Sequence, residues 1–539
     1  MFNSFADSLR AKNQGKLPFE DAFKSIKTRF NRIFFENKNM GPDMLFMMTY
    51  MAAITTAQAT RPEIFSYTAA RQEYVPAKYI KKVEFFVKRW GYSYVEALIM
   101  VAEKTENEIL QSMLNRYANS IDSGVPDEDF LTRELETIKS VYRNTYEQGL
   151  ELLKKWGDAY VAMLFSSALV GIIIMVSIAI FAPDNVQSTL ATTYYIIIGI
   201  SVFGLVTMYR SVPADDKTHS LPTGSREQNM VHRLEKRIVP LAVGVMIMIL
   251  VLGMAFTPNW MDFFGLALLL FGLLLFPLGL IGYLDDQNIV KRDAEFPTFI
   301  RSLGAVMGGK GVTTTHALKD IDRKSLIALE PLISSVYSKL NLGLDEKRSW
   351  DRFLSESGSN LITKYLNIFR DACELGGKPD AVGTIIGSSM LEQTLLRERR
   401  NTVGMGFIVL LVPMHAMMVA ILLFLFHILI KMGSAIKQVM ESLPQSGSAL
   451  SQPGSIGGSM GGGLQMFVNF PVSDVTMYII IVIVLLTISN TLAGKIVMGG
   501  DRYLYYFFAS LLCSVSGIIY IIAPFMVGLF FNIPTFKGV

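Results

Sequence analysis

Cysteine is nearly absent: the 539 residues contain two, Cys373 and Cys513. That excludes a disulfide framework and any cysteine-rich metal motif. The five histidines, at 219, 232, 316, 415 and 427, include no pair four residues apart and no HExxH, so no zinc site is expected. A complete phosphate loop is lacking too. Gly308, Gly309, Lys310 and Gly311 resemble part of one, but the Gly-x4-Gly-Lys-Ser/Thr spacing is missing and no hydroxyl follows the lysine. Nor is there a Ser-His-Asp grouping or a catalytic carboxylate pair, because the charged residues are spread along helix-like stretches. The chain is therefore expected to be no enzyme, to hydrolyse no ATP itself, and to carry no catalytic, cofactor-binding or metal-binding residue.

Charge is the next scarcity. Charged residues make up 18% of the chain against 51% hydrophobic ones, with a mean hydropathy of +0.37, and charge is missing altogether from seven long intervals. These run over 159–183, 185–209, 238–261, 263–284, 401–430, 475–494 and 503–536. Each is long enough to cross roughly 30 Å of hydrocarbon as a helix of about 20 residues. A strongly charged region precedes the first, so no cleavable signal is expected and the amino-terminal region should stay in the cytoplasm. Seven crossings then leave the carboxyl terminus outside. That topology places 47 of the 50 Lys and Arg inside, with only Lys431, Lys437 and Lys537 outside, in accord with the positive-inside rule. The inner side carries 47 basic against 42 acidic residues, a small excess that suits an anionic lipid leaflet better than nucleic acid.

The expected fold is an all-α polytopic membrane protein with about seven transmembrane helices and two homologous cytoplasmic helical bundles. Residues 1–40 read as an amphipathic lead-in, with Phe19, Phe23, Ile26, Phe30 and Ile33 at three- and four-residue steps. A first bundle over 41–158 is followed by four spans over 159–284, joined in part by a cytoplasmic loop at 210–237. A second bundle over 285–400 precedes a span at 401–430. The stretch 431–474 is too rich in Gly and Ser to bury a core and reads as a flexible external loop. Two spans close the chain over 475–539, and the last apolar interval is long enough either to cross once or to fold back near Pro524.

The two charged regions match at an offset of 252 residues, without a gap, from Asp43 on Glu295 to Gly124 on Gly376. Ala53 falls on Ala305 and Gly91 on Gly343, and the same shift carries the first span onto the fifth. The unit is therefore a helical bundle followed by a membrane helix, present twice. At its corner, ACELGGKPD (372–380) lies over SIDSGVPDE (120–128), with Glu374 on Asp122 and Gly376 on Gly124. Gly376 and Gly377 break a helix and Pro379 removes a backbone donor, so this is a hairpin corner. The residues singled out are Gly91, Asp122, Gly124, Gly343, Glu374, Gly376, Gly377 and Pro379, with Glu374 able to accept partners across the bundle. Arg397, Arg399 and Arg400, just before the fifth span, read as positive-inside anchors where a mechanical partner could push. His415 and His427, the only ionisable groups inside expected spans, read as hydrogen-bonded helix packing rather than a proton relay.

The duplicated bundle-plus-span arrangement, with ELGGKP in the second copy, resembles the platform proteins of type II secretion and type IV pilus machines (the GspF/PilC/TadC superfamily). There the corner element reads close to Gly-Glu-x-Ser-Gly; here Cys373 replaces the first glycine, Gly376 the serine, and Asp122 stands for the glutamate in the first copy. MLFMMTYMAAITTAQATRPEIF at 44–65, EFPTFIRSLG at 295–304, the extra spans and the length are similar to the archaellum membrane platform family (FlaJ/ArlJ). The resemblance implies a non-enzymatic scaffold in the cell membrane. It would bind a hexameric secretion-type ATPase through its bundles, contact other motor components and guide archaellin or pilin-like subunits into a filament, as a homodimer. Alternatives are an adhesive-pilus platform, a secondary transporter suggested by the duplication and the membrane histidines, and a membrane receptor.

Overall fold

In the computed structural model the described residues are 39–181, 186–256, 260–442 and 471–530. They are helical, with no strand among the described residues and an isolated bridge between Thr218 and Ser359. The first charged region forms α1 (39–55), α2 (Arg61–Ala70), α3 (Ala77–Trp90), α4 (Tyr94–Glu103), α5 (Glu108–Asp122) and the start of α6 (Asp127–Phe181). Two apolar helices follow, α7 (Val186–Ser211) and α8 (Arg226–Phe256), and a 3-10 turn (Trp260–Phe263) leads into α9 (Phe264–Lys310). The second charged region comprises the end of α9, α10 (Thr314–Asp320), a 3-10 turn (Arg323–Ser325), α11 (Glu330–Asn341), α12 (Glu346–Ser357), α13 (Asn360–Glu374) and the start of α14 (Pro379–Ser442). The chain closes with α15 (Val472–Met498) and α16 (Leu504–Phe530).

Seven of these helices, α6, α7, α8, α9, α14, α15 and α16, are long and apolar enough to cross a membrane, and they coincide with the seven charge-free intervals. The protein is an all-α polytopic membrane protein. Within the spans, α9 and α16 approach backbone to backbone. A Cβ at Gly279 would stand 2.5 Å from Phe507 Cα, and one at Gly517 2.6 Å from Leu269 N, the use of small residues typical of membrane helix packing.

Local chemistry sets the helix ends in matching ways at the 252-residue offset. Ser93 caps α4 through Glu96 N (3.2 Å) and Asp345 caps α12 through Arg348 N (2.9 Å). Asn107 caps α5 through Leu110 N (3.0 Å) and Ser359 caps α13 through Ile362 N (3.2 Å), each side-chain oxygen satisfying an orphan donor of the first turn. Gly91 and Gly343, which end α3 and α11, take φ of +72° and +74°, and the corner glycines Gly124 and Gly376 take +70° and +93°, a region open to glycine at no steric cost. Asp43 accepts from Val75 N, while Glu295 accepts from Ala328 N and Leu329 N, so both acids hold the chain entering the third helix of their bundle.

One apolar core runs through both bundles, from Met44, Met48 and Ile54 of α1 through Leu110 and Tyr117 of α5 to Phe296, Phe299, Tyr365 and Ile386 of the second region. Helices α6 and α14 lie side by side: Arg143 pairs with Glu392 and Arg399 with Glu147, the latter two at equivalent positions 252 apart.

Several boundaries differ from the sequence expectation. Helix α14 runs to Ser442 rather than ending at 430, because nothing in IKMGSAIKQVMES breaks a helix; the Gly/Ser stretch proper, 443–470, lies outside the described residues, as does nearly all of the 1–40 lead-in. The expected loop at 210–237 is a loop only over 212–225, since REQNMVHRLEKR begins α8. Helix α16 passes through Pro524 to Phe530 without turning back, the lost backbone bond being tolerated within one continuous apolar helix.

Candidate functional site

Where the second bundle enters the membrane, the 212–225 loop folds over it as a strap. His219 N donates to Gly358 O (3.3 Å), Asn360 N to Lys217 O (2.9 Å), and Thr223 Oγ1 lies 2.6 Å from Ser355 Oγ. The strap thereby ties the α7–α8 connection to the corner between α12 and α13.

Beneath it lies a buried charge cluster. Arg397 of α14, only 5% exposed, donates from Nε to Asp215 Oδ1 (2.8 Å), from Nη1 to Asp293 Oδ2 (2.6 Å) and from Nη2 to Asp216 O (2.9 Å). Ser359 Oγ, which accepts from the α13 backbone, donates to the other oxygen of Asp293. Lys217 and Asp286, both buried, pair at 2.9 Å, and Ser225 donates to Asp285 at 3.0 Å. Arg400 turns the other way: it donates to Val497 O and Ile496 O (both 3.3 Å), closing the carboxyl end of α15. The turn after α15 is glycine because a Cβ at Gly499 would stand 2.6 Å from Arg400 Nη2, and one at Gly500 2.5 Å from Asp286 Oδ1.

Burial alone would raise the Asp215 carboxyl, but the charges of Arg397 and Arg400, with the Arg397 hydrogen bonds and Lys217, hold it below its ordinary value. Asp293 lies beyond the apolar part of α9. There burial prevails over Arg397 and Ser359 and lifts it to about 6. One guanidinium shared by two carboxylates ionises one readily and leaves the other close to neutral pH. The arrangement locks α9, α13, α14 and the strap into one block at the membrane boundary.

The cluster lies at the second bundle alone. Position 293 corresponds to Gly41 and position 397 to Thr145. At the corresponding place in the first bundle is an apolar groove of about 440 Å³, lined by Gly41, Tyr142, Thr145, Gly149 and Pro213 among others.

The residues singled out from sequence divide clearly. Of the three arginines read as positive-inside anchors, Arg397 and Arg400 are buried and engaged, whereas Arg399 is exposed and paired with Glu147. Gly377 packs against the first bundle: its Cβ would meet Ala372 O at 2.7 Å and Thr56 Oγ1 at 2.9 Å. Pro379 starts α14. Glu374 and Asp122 end their helices exposed. Asp371, three residues before Glu374, pairs with Arg71 of the first bundle, and Asp43 pairs with Lys364 of the second. Lys310 of the glycine-lysine stretch ends α9 and pairs with Asp320 at 2.7 Å. A helix carboxyl end is the wrong pole for phosphate.

Asp215, Lys217, Asp286, Asp293 and Ser359 were not singled out, because acids and bases flanking a span look ordinary in sequence. Among the described residues, no group of three or more His, Cys, Asp or Glu is placed to hold a metal. His415 lies in a closed chain: Tyr160 donates to Asn490 Oδ1 (3.1 Å), Asn490 Nδ2 to His415 Nδ1 (2.9 Å), and His415 Nε2 to Ser516 Oγ (2.8 Å). One neutral tautomer satisfies every link, and the chain joins α6, α15, α14 and α16. His427 bonds to Leu423 O one turn back on α14.

Comparison with known proteins gives two relatives of the same description. The chain is similar to flagella accessory protein J. It is 24% identical over 334 residues to that protein of Methanocaldococcus jannaschii and 25% identical over 331 residues to that of Methanococcus voltae. Each match covers 60% of this chain and 58% or 57% of the relative, so the chain aligns with less than two thirds of either accessory protein. No protein-family model matches the chain, and no solved structure matches it.

Proposed function

We propose that this chain is the membrane platform of an archaellum-type filament machine, lying in the cell membrane with its bundles in the cytoplasm. It would receive the movement of a hexameric secretion-type ATPase on those bundles and pass it to filament subunits in the membrane, without catalysis of its own. One observation carries the reading: α6 and α14 each run unbroken from the far corner of a bundle into an apolar span, 55 and 64 residues long. A packed core moves as a unit rather than deforming continuously, so displacement of the bundles reaches the membrane without an intervening hinge. The buried Arg397 cluster and the Arg400 closure of α15 stiffen the point of entry.

The similarity to flagella accessory protein J favours the archaellum over an adhesive pilus. The closed His415 chain supports helix packing over transport. The test is co-purification of the detergent-solubilised protein with the cell's secretion ATPase, followed by crosslinking. A stable complex with crosslinks on the bundles is expected; an ATPase that stays unbound, in cells whose filaments assemble normally without this chain, would overturn the reading.

A further inference from the structure

The two bundles end, far from the membrane, in tips that expose apolar side chains. At the end of α3, Trp90 is 62% exposed, Phe85 50% and Tyr92 39%. With Phe86 they form one aromatic cluster, with ring centroids of Phe85–Trp90 at 5.9 Å, Phe86–Trp90 at 5.1 Å and Trp90–Tyr92 at 6.2 Å. At the equivalent tip after α11, Leu342 is 78% and Leu344 55% exposed. Trp90 and Leu342, and Tyr92 and Leu344, are related by the 252-residue offset, with Gly91 and Gly343 between them in matching left-handed turns.

These side chains are held out for a reason other than folding. The turns leave open space around both glycines, and while Phe86 packs against the bundle core, Phe85, Trp90, Tyr92, Leu342 and Leu344 take no part in it. Exposed clustered aromatics are unusual away from a binding surface. Position decides what kind of surface. Val75, just before α3, bonds to Asp43 near the membrane-proximal start of α1, and α3 runs away from it toward the corner where Arg61 meets Asp127. From Asp127 to the apolar part of α6 is roughly 45 Å at the α-helical rise, too far for tip residues to touch lipid.

Charge decides the rest. Over 78–96 the chain carries Lys78, Lys81, Lys82, Lys88 and Arg89 against Glu84 and Glu96, five positive against two negative, a net +3. Both acids are engaged, Glu84 with Lys88 (2.6 Å) and Glu96 with Ser93 N (3.0 Å).

We infer that the Trp90 and Leu342 tips form a two-point docking surface for a soluble protein that offers apolar pockets, acidic around the one that takes Trp90. The inference rests on the platform reading and names where its motor partner binds. The aromatic tip supplies buried apolar area, and Lys81, Lys82 and Arg89 steer the acidic face toward it. The Leu342 tip, nearly neutral over 339–348 with three basic and two acidic residues, supplies apolar contact alone.

The test measures binding of the purified secretion ATPase to the full-length protein in detergent, as wild type, Trp90→Ser, Leu342→Ser, Trp90→Phe and Lys81→Glu/Arg89→Glu. Thermal unfolding should match wild type in every variant, since the substituted side chains are exposed. Each Ser variant should weaken binding at least tenfold, Trp90→Phe less than threefold, and charge reversal should abolish the salt dependence of association. ATPase binding unchanged by both Ser variants would overturn the tip assignment and leave the platform reading standing; no binding by wild type would overturn both. Serine variants that instead change the protein's own oligomeric mass, with ATPase binding intact, would assign the tips to self-association and also overturn the inference.

Discussion

Arg397 and Arg399 are two positions apart and carry the same charge, yet they differ in what their loss would do. Removing Arg397 strands two buried carboxylates, which costs about 3–5 kcal/mol; Arg399 sits in an exposed pair worth roughly 0–1 kcal/mol. Arg397→Met should therefore lose folded protein in detergent, whereas Arg399→Glu should unfold within a few degrees of wild type, as fluorescence-detected melting would report. Reversing all three basic residues together would test folding rather than coupling. Asp293 gives a pH signature. Its folded carboxyl binds the proton more tightly than an unfolded one, so its contribution to stability falls as pH rises from about 4 to about 6. Asp215 acts oppositely, losing stability only as pH drops below its ordinary value of 3.8. Asp293→Asn should flatten the melting curve's pH dependence between 4 and 6, by on the order of 1–3 kcal/mol, and an unchanged slope would refute the burial argument. At the corner, Gly376→Ala should cost about 1 kcal/mol for its φ of +93°. Gly377→Leu should cost more, because backbone and Thr56 stand in the way.

At the scale of elements, continuity is the property that matters. Helices α6, α9 and α14 each join a charged bundle to an apolar span with no loop between. If α14 carries force, softening it should separate binding from output. Leu395 and Glu398, both exposed on α14 near the junction, are suitable for replacement by Gly at about 1 kcal/mol each. The double variant should reach the membrane and retain ATPase binding while losing filaments, read by electron microscopy and swimming assays. Full motility would show that stiffness of α14 is not required.

For the whole molecule, the shared core predicts that the bundles unfold together. Leu114→Ala, a fully buried truncation in the first bundle costing about 2–5 kcal/mol, should lower hydrogen-exchange protection in α13 as well as α5. Protection lost in α5 alone would mean that two independent bodies share a membrane anchor. The ion pairs Arg71–Asp371 and Lys364–Asp43, each joining one bundle to the other, make the joint response the expected one.

Sequence alone determined the spans and the all-helical class, because charge-free length and the helix-like spread of charged residues are local properties of the chain, and it aligned the two bundles through Gly91, Gly124, Gly343 and Gly376. It also located the corner at Gly376–Gly377. It could not find the Arg397 cluster, whose members come from a loop, α9, α13 and α14, nor separate Arg397 from Arg399, because burial of a charge depends on what other segments bring to it. It placed Trp90 and Leu342 at equivalent positions without revealing that both face solvent. Only tertiary packing decides which apolar residues a core uses and which it leaves outside.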